Sequence, residues 1–245
     1  MKQAFDAALQ TSDANTEILL INNHPPYPDM RHFLKLLKIP RVRVLDPGHN
    51  LGCTQGFQYG ASKARGQYLV KLDDDTIVPP KNWLATMCLA LQEFPDLAYV
   101  GLALPIYKLG RFPQIDRGRY ILEFYDDVVN FACMMIRRNL WQAHFQITHP
   151  LLYGDEETFY HNQAKRLGLR KGYLVSHSCQ HLARTAGSDP FYGAWKIFYL
   201  AGKTKVDFKQ WRRDFRIGAE EMAVFRGFNY PEEQIRLLKS LLGQR

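Results

Sequence analysis

The feature that most constrains the fold is a hydrophobic strand that ends in three aspartates. Tyr68–Leu72 is typical of a buried β-strand, and Asp73, Asp74 and Asp75 follow it directly. Three adjacent carboxylates repel one another unless a cation shares them, and hard divalent cations prefer oxygen ligands. In open α/β sheets, ligands bind at the carboxyl ends of the strands, which is where these aspartates stand. The cluster therefore predicts a metal site, with a solvated acidic turn as the alternative.

Strand and helix patterns alternate along the chain around this cluster. Helical patterns cover residues 1–10, 30–38, 54–64 and 82–94, and strand patterns cover 16–21, 42–45, 68–72, 97–104, 128–136 and 173–175. This alternation predicts an α/β protein with a Rossmann-like, mostly parallel sheet flanked by helices. The basic stretch 108–119 contains glycine and proline, and we expect a surface loop or a hairpin there.

Three glycines lie on one face of the 54–64 helix, because Gly52, Gly56 and Gly60 recur at every fourth residue. They permit close approach of a neighbouring strand or of a phosphate at the helix N-terminus, and the strand is the favoured interpretation. The spacing matches neither the dinucleotide-binding fingerprint nor a phosphate-binding loop. This counts against a dinucleotide oxidoreductase and an ATPase.

Composition limits the class of protein. The 245 residues suit one α/β domain with a small helical appendage, and the net charge of +8 favours an anionic partner. The four cysteines, Cys53, Cys88, Cys133 and Cys179, form no CxxC pair, so neither a zinc ribbon nor a disulfide framework is indicated. We see no signal peptide and no membrane-spanning apolar run, and therefore expect a cytoplasmic protein.

A second acidic cluster opens a predicted helix. Asp155 is suited to cap it, and Glu156 and Glu157 fall in its first turn, where the helix dipole favours negative charge. Helical spacing puts Glu156 on the packed face with Tyr160 and predicts that Glu157 turns away from the centre of that face. A carboxylate at the edge of a buried face suits a general base, so base and cap both remain open here.

An extended segment near residue 180 carries three side chains that can bind metals. His177, Cys179 and His181 alternate there, so an extended backbone would present them on one side. Structural histidines are common, and we expect at most one of the three to be a ligand.

The order of these features resembles the family 2 type glycosyltransferases of the GT-A fold. The matching segments, which together cover about residues 1–185, are Asn22 and Asn23, Asn50 to Gly66, Asp73 to Asp75, Ala132 to Arg138, Asp155 and Glu156, and His181. The chain begins at the helix that follows the family's first strand, so we expect that strand to be absent. Asn22 stands where the family usually has an aspartate.

The resemblance implies a metal-dependent, inverting transfer of a sugar from a nucleotide-diphosphate sugar to a hydroxyl acceptor such as a glycan or a lipid-linked group. Glu156 would be the general base, with Glu157 as the alternative. Asp75, Asp73 and His181 would hold Mn²⁺ or Mg²⁺, while the residues expected to contact the donor are Asn22, Asn50, Gly52, Asp73 and Asp74. No nucleic acid partner is implied. The alternatives are a metal-dependent nucleotidyltransferase and a truncated, inactive homologue that binds a nucleotide or a partner.

The C-terminal part differs in character from the rest. We expect a catalytic domain over residues 1–188 and a helical extension over 189–245, where aromatic and basic residues alternate. Packing of this extension on the catalytic domain is the favoured interpretation. Peripheral docking on an anionic membrane surface is the alternative, because basic amphipathic helices bind such surfaces.

Overall fold

The computed structural model describes residues 1–23, 28–49, 51–105, 110–148 and 156–182. Its helices are α1 (Lys2–Thr11), α2 (Pro28–Leu36), α3 (Gly52–Lys63), α4 (Trp83–Glu93), α5 (Arg138–Leu140) and α6 (Glu156–Arg166), and a π-helical turn, Trp141–Phe145, follows α5. Its strands are β1 (Ile18–Ile21), β2 (Val42–Leu45), β3 (Tyr68–Leu72), β4 (Thr76–Ile77), β5 (Leu97–Ala103), β6 (Gln114–Asp116), β7 (Ile121–Phe124), β8 (Cys133–Arg137), β9 (Arg170–Ser178) and β10 (Gln180–His181).

The main sheet has six strands in the order β3-β8-β5-β9-β7-β6. β8 pairs antiparallel with both β3 and β5, and β5 pairs parallel with β9. The strands β3, β5 and β9 therefore run in one direction, with β8 inserted between the first two. The predicted α/β class is confirmed, and β2 and β3 have the predicted bounds. Two further sheets of two strands each pair β1 with β2 and β4 with β10.

Hydrophobic side chains cover both faces of this sheet. All seven residues of β5 are buried, and its neighbouring residues Tyr99 and Val100 belong to two different core clusters. The Val100 cluster includes Met87 and Leu91 of α4, and the Tyr99 cluster includes Tyr160 of α6. Since successive strand residues point to opposite faces, α4 and α6 pack on opposite sides of the sheet.

The segment before β8 departs from the prediction. The strand expected over residues 128–136 begins only at Cys133, because side chains bond the preceding backbone. The Ala132 N–H donates to the side-chain oxygen of Asn130, and the Phe131 N–H donates to Glu157. The stretch 108–119 contributes β6, which forms an antiparallel hairpin with β7.

Two compact units divide the described residues. The first comprises residues 1–20, 39–43 and 53–182, and it contains the six-stranded sheet. The second includes residues 21–23, 28–38, 44–49 and 51–52. The predicted boundary after residue 188 and the predicted helical extension lie outside the described residues.

None of the described helices is long and apolar enough to cross a membrane.

The close approach of β7 and β9 makes a prediction for Gly172. A Cβ atom on Gly172 would lie 2.2 Å from the backbone oxygen of Glu123, whereas a Cβ atom on Gly101 would first meet the side chain of Val129 at 3.0 Å. We expect Gly172→Ala to lower the free energy of unfolding by about 3 kcal/mol, and Gly101→Ala by less, because side chains yield more easily than a backbone carbonyl. Urea unfolding measures both, and an equal or smaller loss for Gly172→Ala would contradict this packing.

Candidate active site

The turn after β3 presents the aspartates predicted to bind a metal. The Asp73 N–H donates to the Ala132 carbonyl at 2.9 Å, and the Thr76 N–H donates to the Asp73 carbonyl at 3.2 Å. β4 then pairs with β10, and His181 lies opposite Thr76 in that register. The Leu182 N–H donates to the Asp75 carbonyl at 2.6 Å. Backbone hydrogen bonds therefore hold the aspartate turn beside His181.

Three side chains meet there in an arrangement that fits a divalent metal. His181 Nε2 lies 3.1 Å from Asp75 Oδ1, and one ligand atom each from Asp73, Asp75 and His181 lie within 4.8 Å of one another. Carboxylate oxygens suit Mg²⁺ and Mn²⁺, and the imidazole nitrogen shifts the preference towards the softer Mn²⁺. The structure thus brings together the three residues that were predicted as metal ligands.

The neighbouring candidates lie outside this triad. Asp74, predicted to contact the donor, is exposed. His177 lies against Thr86 and Ser176, and the buried Cys179 directs its thiol to a backbone carbonyl. Of the three alternating side chains, His181 alone lies with the two aspartates. That at most one of the three is a metal ligand stays a prediction.

Lys71 is a site residue that the sequence analysis missed. It lies in β3, is 7% exposed, and donates from Nζ to Asp73 Oδ1 at 2.5 Å and to the Phe131 carbonyl at 2.9 Å. Burial disfavours the charged form, but the Asp73 carboxylate, with Cys53 and Glu156, outweighs it and raises the pKa of Lys71. The available signal was a lysine inside a buried strand, two residues from an aspartate and so on the same side.

Glu156 is held by the first turn of α3. Thr54 Oγ1 donates to its Oε2 at 3.0 Å, and Cys53 Sγ lies 3.5 Å from its Oε1. Burial, together with the carboxylates of Asp73 and Glu156, raises the pKa of Cys53 to about 12, although Lys71 opposes the change. Cys53 is therefore a thiol that donates a hydrogen bond, and both carboxylate oxygens of Glu156 have partners.

Glu157 faces the segment before β8. Its Oε1 accepts hydrogen bonds from the Phe131 N–H at 3.0 Å and from Asn130 Nδ2 at 3.2 Å. Burial raises the pKa of Glu157, and the hydrogen bond from Phe131 offsets part of that change. The sequence predicts that Glu157 turns away from the centre of the packed face, and in the structure its side chain is partly buried against the segment before β8. Tyr160, which is fully buried, lies four residues from Glu156 and three from Glu157, so both glutamates flank the buried side of α6.

In the second unit, two asparagines organise the loops after β1 and β2. Asn22 Nδ2 donates to Asp46 Oδ2 at 2.8 Å, and Asn22 Oδ1 is buried without a partner among the described residues. Asn23 accepts from the Leu51 N–H and donates to the carbonyl of Gly52, the first residue of α3. Gly52 has a φ of 75°, which glycine adopts without strain. Asn50, also predicted to contact the donor, lies outside the described residues.

The family assignment follows from a match over two thirds of the chain. A family model described as glycosyl transferase family 2 matches residues 1–164. The chain belongs to glycosyl transferase family 2. The matched residues include Lys71 of β3, the aspartate turn, the start of α3, the segment before β8 and the two glutamates of α6. His181 follows them.

Two solved structures share the GT-A fold of this family 2 protein. One, a crystal structure of GalNAc-T7 with UDP, GalNAc and Mn²⁺, has a TM-score of 0.61 at 16% identity over 93% of this chain. The other, residues 1–349 of TarS from S. aureus, has a TM-score of 0.55 at 11% identity, also over 93% of this chain. This chain spans 55% and 66% of their lengths, respectively. No curated protein sequence matches the chain significantly.

The triad makes a prediction for metal binding by this family 2 protein. We expect Asp75→Ala and His181→Ala each to weaken Mn²⁺ binding at least about tenfold, because each removes one protein ligand. Asp74→Ala is the matched control, since it removes the same charge from the adjacent, exposed position. Isothermal titration with Mn²⁺ measures all three, and an equal loss with Asp74→Ala would show that only general electrostatic attraction is involved.

Proposed function

We propose that this protein transfers a sugar from a nucleotide-diphosphate sugar to a hydroxyl acceptor, with a divalent metal and with inversion at the anomeric carbon. The observation that carries the proposal is the presence, in one compact unit, of the Asp73, Asp75 and His181 triad and of the two glutamates that open α6. Family membership supports sugar transfer. The UDP, GalNAc and Mn²⁺ of the GalNAc-T7 structure support a nucleotide-sugar donor, a sugar acceptor and Mn²⁺.

The aspartate turn would bind the nucleotide-sugar donor and its metal. Asp75 and His181 would hold the metal, and Asp73 would contribute its second carboxylate oxygen or bind the ribose. When bound, the metal supplies Lewis-acid stabilisation of the charge that builds on the departing diphosphate. Further donor contacts are proposed for Asp74, Asn22, Asn50 and Gly52. The buried Oδ1 of Asn22, which has no partner within the described part of the chain, supports this role, because such an atom is commonly satisfied by a ligand or water.

The acceptor side needs a general base. The acceptor oxygen attacks the anomeric carbon opposite the diphosphate, the bond from that carbon to the diphosphate oxygen breaks, and the acceptor proton passes to a carboxylate. A single displacement of this kind inverts the configuration.

The geometry favours Glu157 as this base, although the sequence pattern favours Glu156. Both oxygens of Glu156 accept from α3 side chains, which suits a residue that fixes α6 against α3. The two donors to Glu157 share Oε1, and its raised pKa makes it a stronger proton acceptor than an ordinary glutamate. We therefore propose Glu157 as the base and Glu156 as the residue that positions it.

The nature of the leaving group separates this function from the alternatives. A nucleotidyltransferase would release pyrophosphate, whereas a glycosyltransferase releases a nucleoside diphosphate. A homologue that only binds a nucleotide would release neither.

Donor binding is tested by thermal shift. With a panel of nucleoside diphosphates, we expect at least one to raise the Tm in the presence of Mn²⁺, since a ligand that binds only the folded state stabilises it. Asp75→Ala should abolish the Mn²⁺-dependent part of the shift, while Asp116→Ala, which removes the same charge from an exposed position in β6, should retain it. The absence of any nucleotide response in the wild type would contradict the proposed donor.

The base assignment is tested by a pair of isosteric variants. We expect Glu157→Gln to lower the transfer rate about 10²-fold or more while donor binding is retained, because the proton acceptor is lost. Glu156→Gln should cost less, since its amide oxygen can still accept from Thr54. Loss of transfer with Glu156→Gln and its retention with Glu157→Gln would make Glu156 the base.

The pH profile gives a second readout of the same assignment. A base must be ionised, so transfer falls as the pH drops through its pKa. Because burial raises the pKa of Glu157, we expect the acid limb of kcat/KM to lie above the range of an ordinary glutamate. An acid limb at or below that range would contradict the role of Glu157.

A further inference from the structure

We propose that Lys71 is a positioning residue that competes with the metal for Asp73 and fixes how the metal binds. This role of Lys71 rests on the proposed function, because it concerns the same metal triad. Lys71 donates to Oδ1 of Asp73, so the ammonium and a metal at the triad would share that carboxylate. The Lys71 ammonium also donates to the Phe131 carbonyl, and so connects Asp73 with the segment that hydrogen-bonds Glu157.

The backbone of β3 sets this arrangement. Lys71 lies in β3, and Asp73 follows directly after the strand, where its N–H still pairs with the Ala132 carbonyl at 2.9 Å. Residues two apart on an extended chain point to the same side, so Lys71 reaches Asp73. The Lys71 ammonium is buried between Asp73 Oδ1 and the Phe131 carbonyl, which accept at 2.5 and 2.9 Å. A buried ammonium is costly unless it is paired and hydrogen-bonded, so both acceptors hold it in place.

Phe131 connects the two halves of the site. Its carbonyl accepts from Lys71, and its N–H donates to Glu157. The adjacent residue, Ala132, accepts a backbone hydrogen bond from Asp73. A shift of Lys71 would therefore displace both a metal ligand and the proposed base. This coupling through the backbone of one residue, Phe131, gives Lys71 a role beyond neutralising charge.

Competition between Lys71 and the metal predicts that removing Lys71 strengthens metal binding. The charges that act on Lys71 are those of the Asp73 and Glu156 carboxylates, and Lys71 in turn acts on Glu157. A protein cation beside Asp73 repels an incoming divalent ion and holds one of the oxygens that the ion could use. Without Lys71, Asp73 is free to bind the metal through both oxygens. We thus expect tighter but misplaced metal binding when the ammonium is removed.

Lys171 provides a matched control. It is also 7% exposed, lies in β9 of the same sheet, and donates to the Tyr125 carbonyl at 2.9 Å. The charged groups that act on Lys171 include Asp126, Asp127 and Lys165, none of which belongs to the triad. Replacing either lysine by methionine removes a buried ammonium and keeps an unbranched side chain in its place. Only Lys71→Met affects the triad directly.

The test compares Mn²⁺ affinity in the absence of nucleotide with turnover at saturating Mn²⁺. For Lys71→Met we expect a Kd for Mn²⁺ at least about tenfold lower than in the wild type, as expected when a nearby like charge is removed. We also expect kcat to fall at least about tenfold, because displaced groups are poorly oriented for reaction. Lys171→Met should change the Kd less than about twofold, whatever its effect on the Tm.

Weaker or unchanged Mn²⁺ binding in Lys71→Met would overturn the proposal, because it would show that Lys71 only fills and stabilises the core. If Lys71→Met does not fold, Lys71→Gln removes the charge while keeping a hydrogen-bond donor, and it carries the same expectation. Mn²⁺ binding is measured without donor or acceptor, so a wild type that transfers no sugar would refute the proposed function and still leave this comparison decisive.

Discussion

The short pairing of β4 with β10 is the contact on which the candidate metal centre depends. It joins only two residues of each strand, yet it places His181 opposite Thr76 and beside Asp75. The hydrogen bond from the Leu182 N–H to the Asp75 carbonyl closes the same junction. Strands this short are weak alone, and this one is supported by the buried Thr76 and Val78, which anchor the turn to the core.

A second set of contacts gives the acidic residues different environments. Asp73 is paired with the buried ammonium of Lys71, Glu156 accepts a hydrogen bond from the start of α3, and Glu157 accepts one from the segment before β8. Like charges so close together would raise one another's pKa and destabilise the fold if all were ionised without partners. Because their partners lie in three separate segments, one carboxylate could serve the proposed metal while another accepts a proton.

Much of the framework could be predicted because it depends on residues that are close together in the sequence. The hydrophobic strand Tyr68–Leu72 and the carboxylates after it are contiguous in sequence, and the resemblance to a family added His181. Contacts between distant segments were harder to foresee. Spacing along α6 favoured Glu156 over Glu157, but the orientation of Glu157 is decided by Asn130 and Phe131, which lie far away in the chain. Lys71 was missed since a lysine within an apolar strand has meaning only once its acceptors are known.

We propose that Asp73, Asp75 and His181 form the metal site of a nucleotide-sugar transferase. A crystal structure of the protein with Mn²⁺ and a nucleoside diphosphate, with diffraction recorded at the manganese absorption edge, tests this directly. We expect one anomalous peak in contact with Asp75, His181 and a single oxygen of Asp73, and also with the diphosphate. A peak elsewhere, or a diphosphate bound without any metal at the triad, would contradict it.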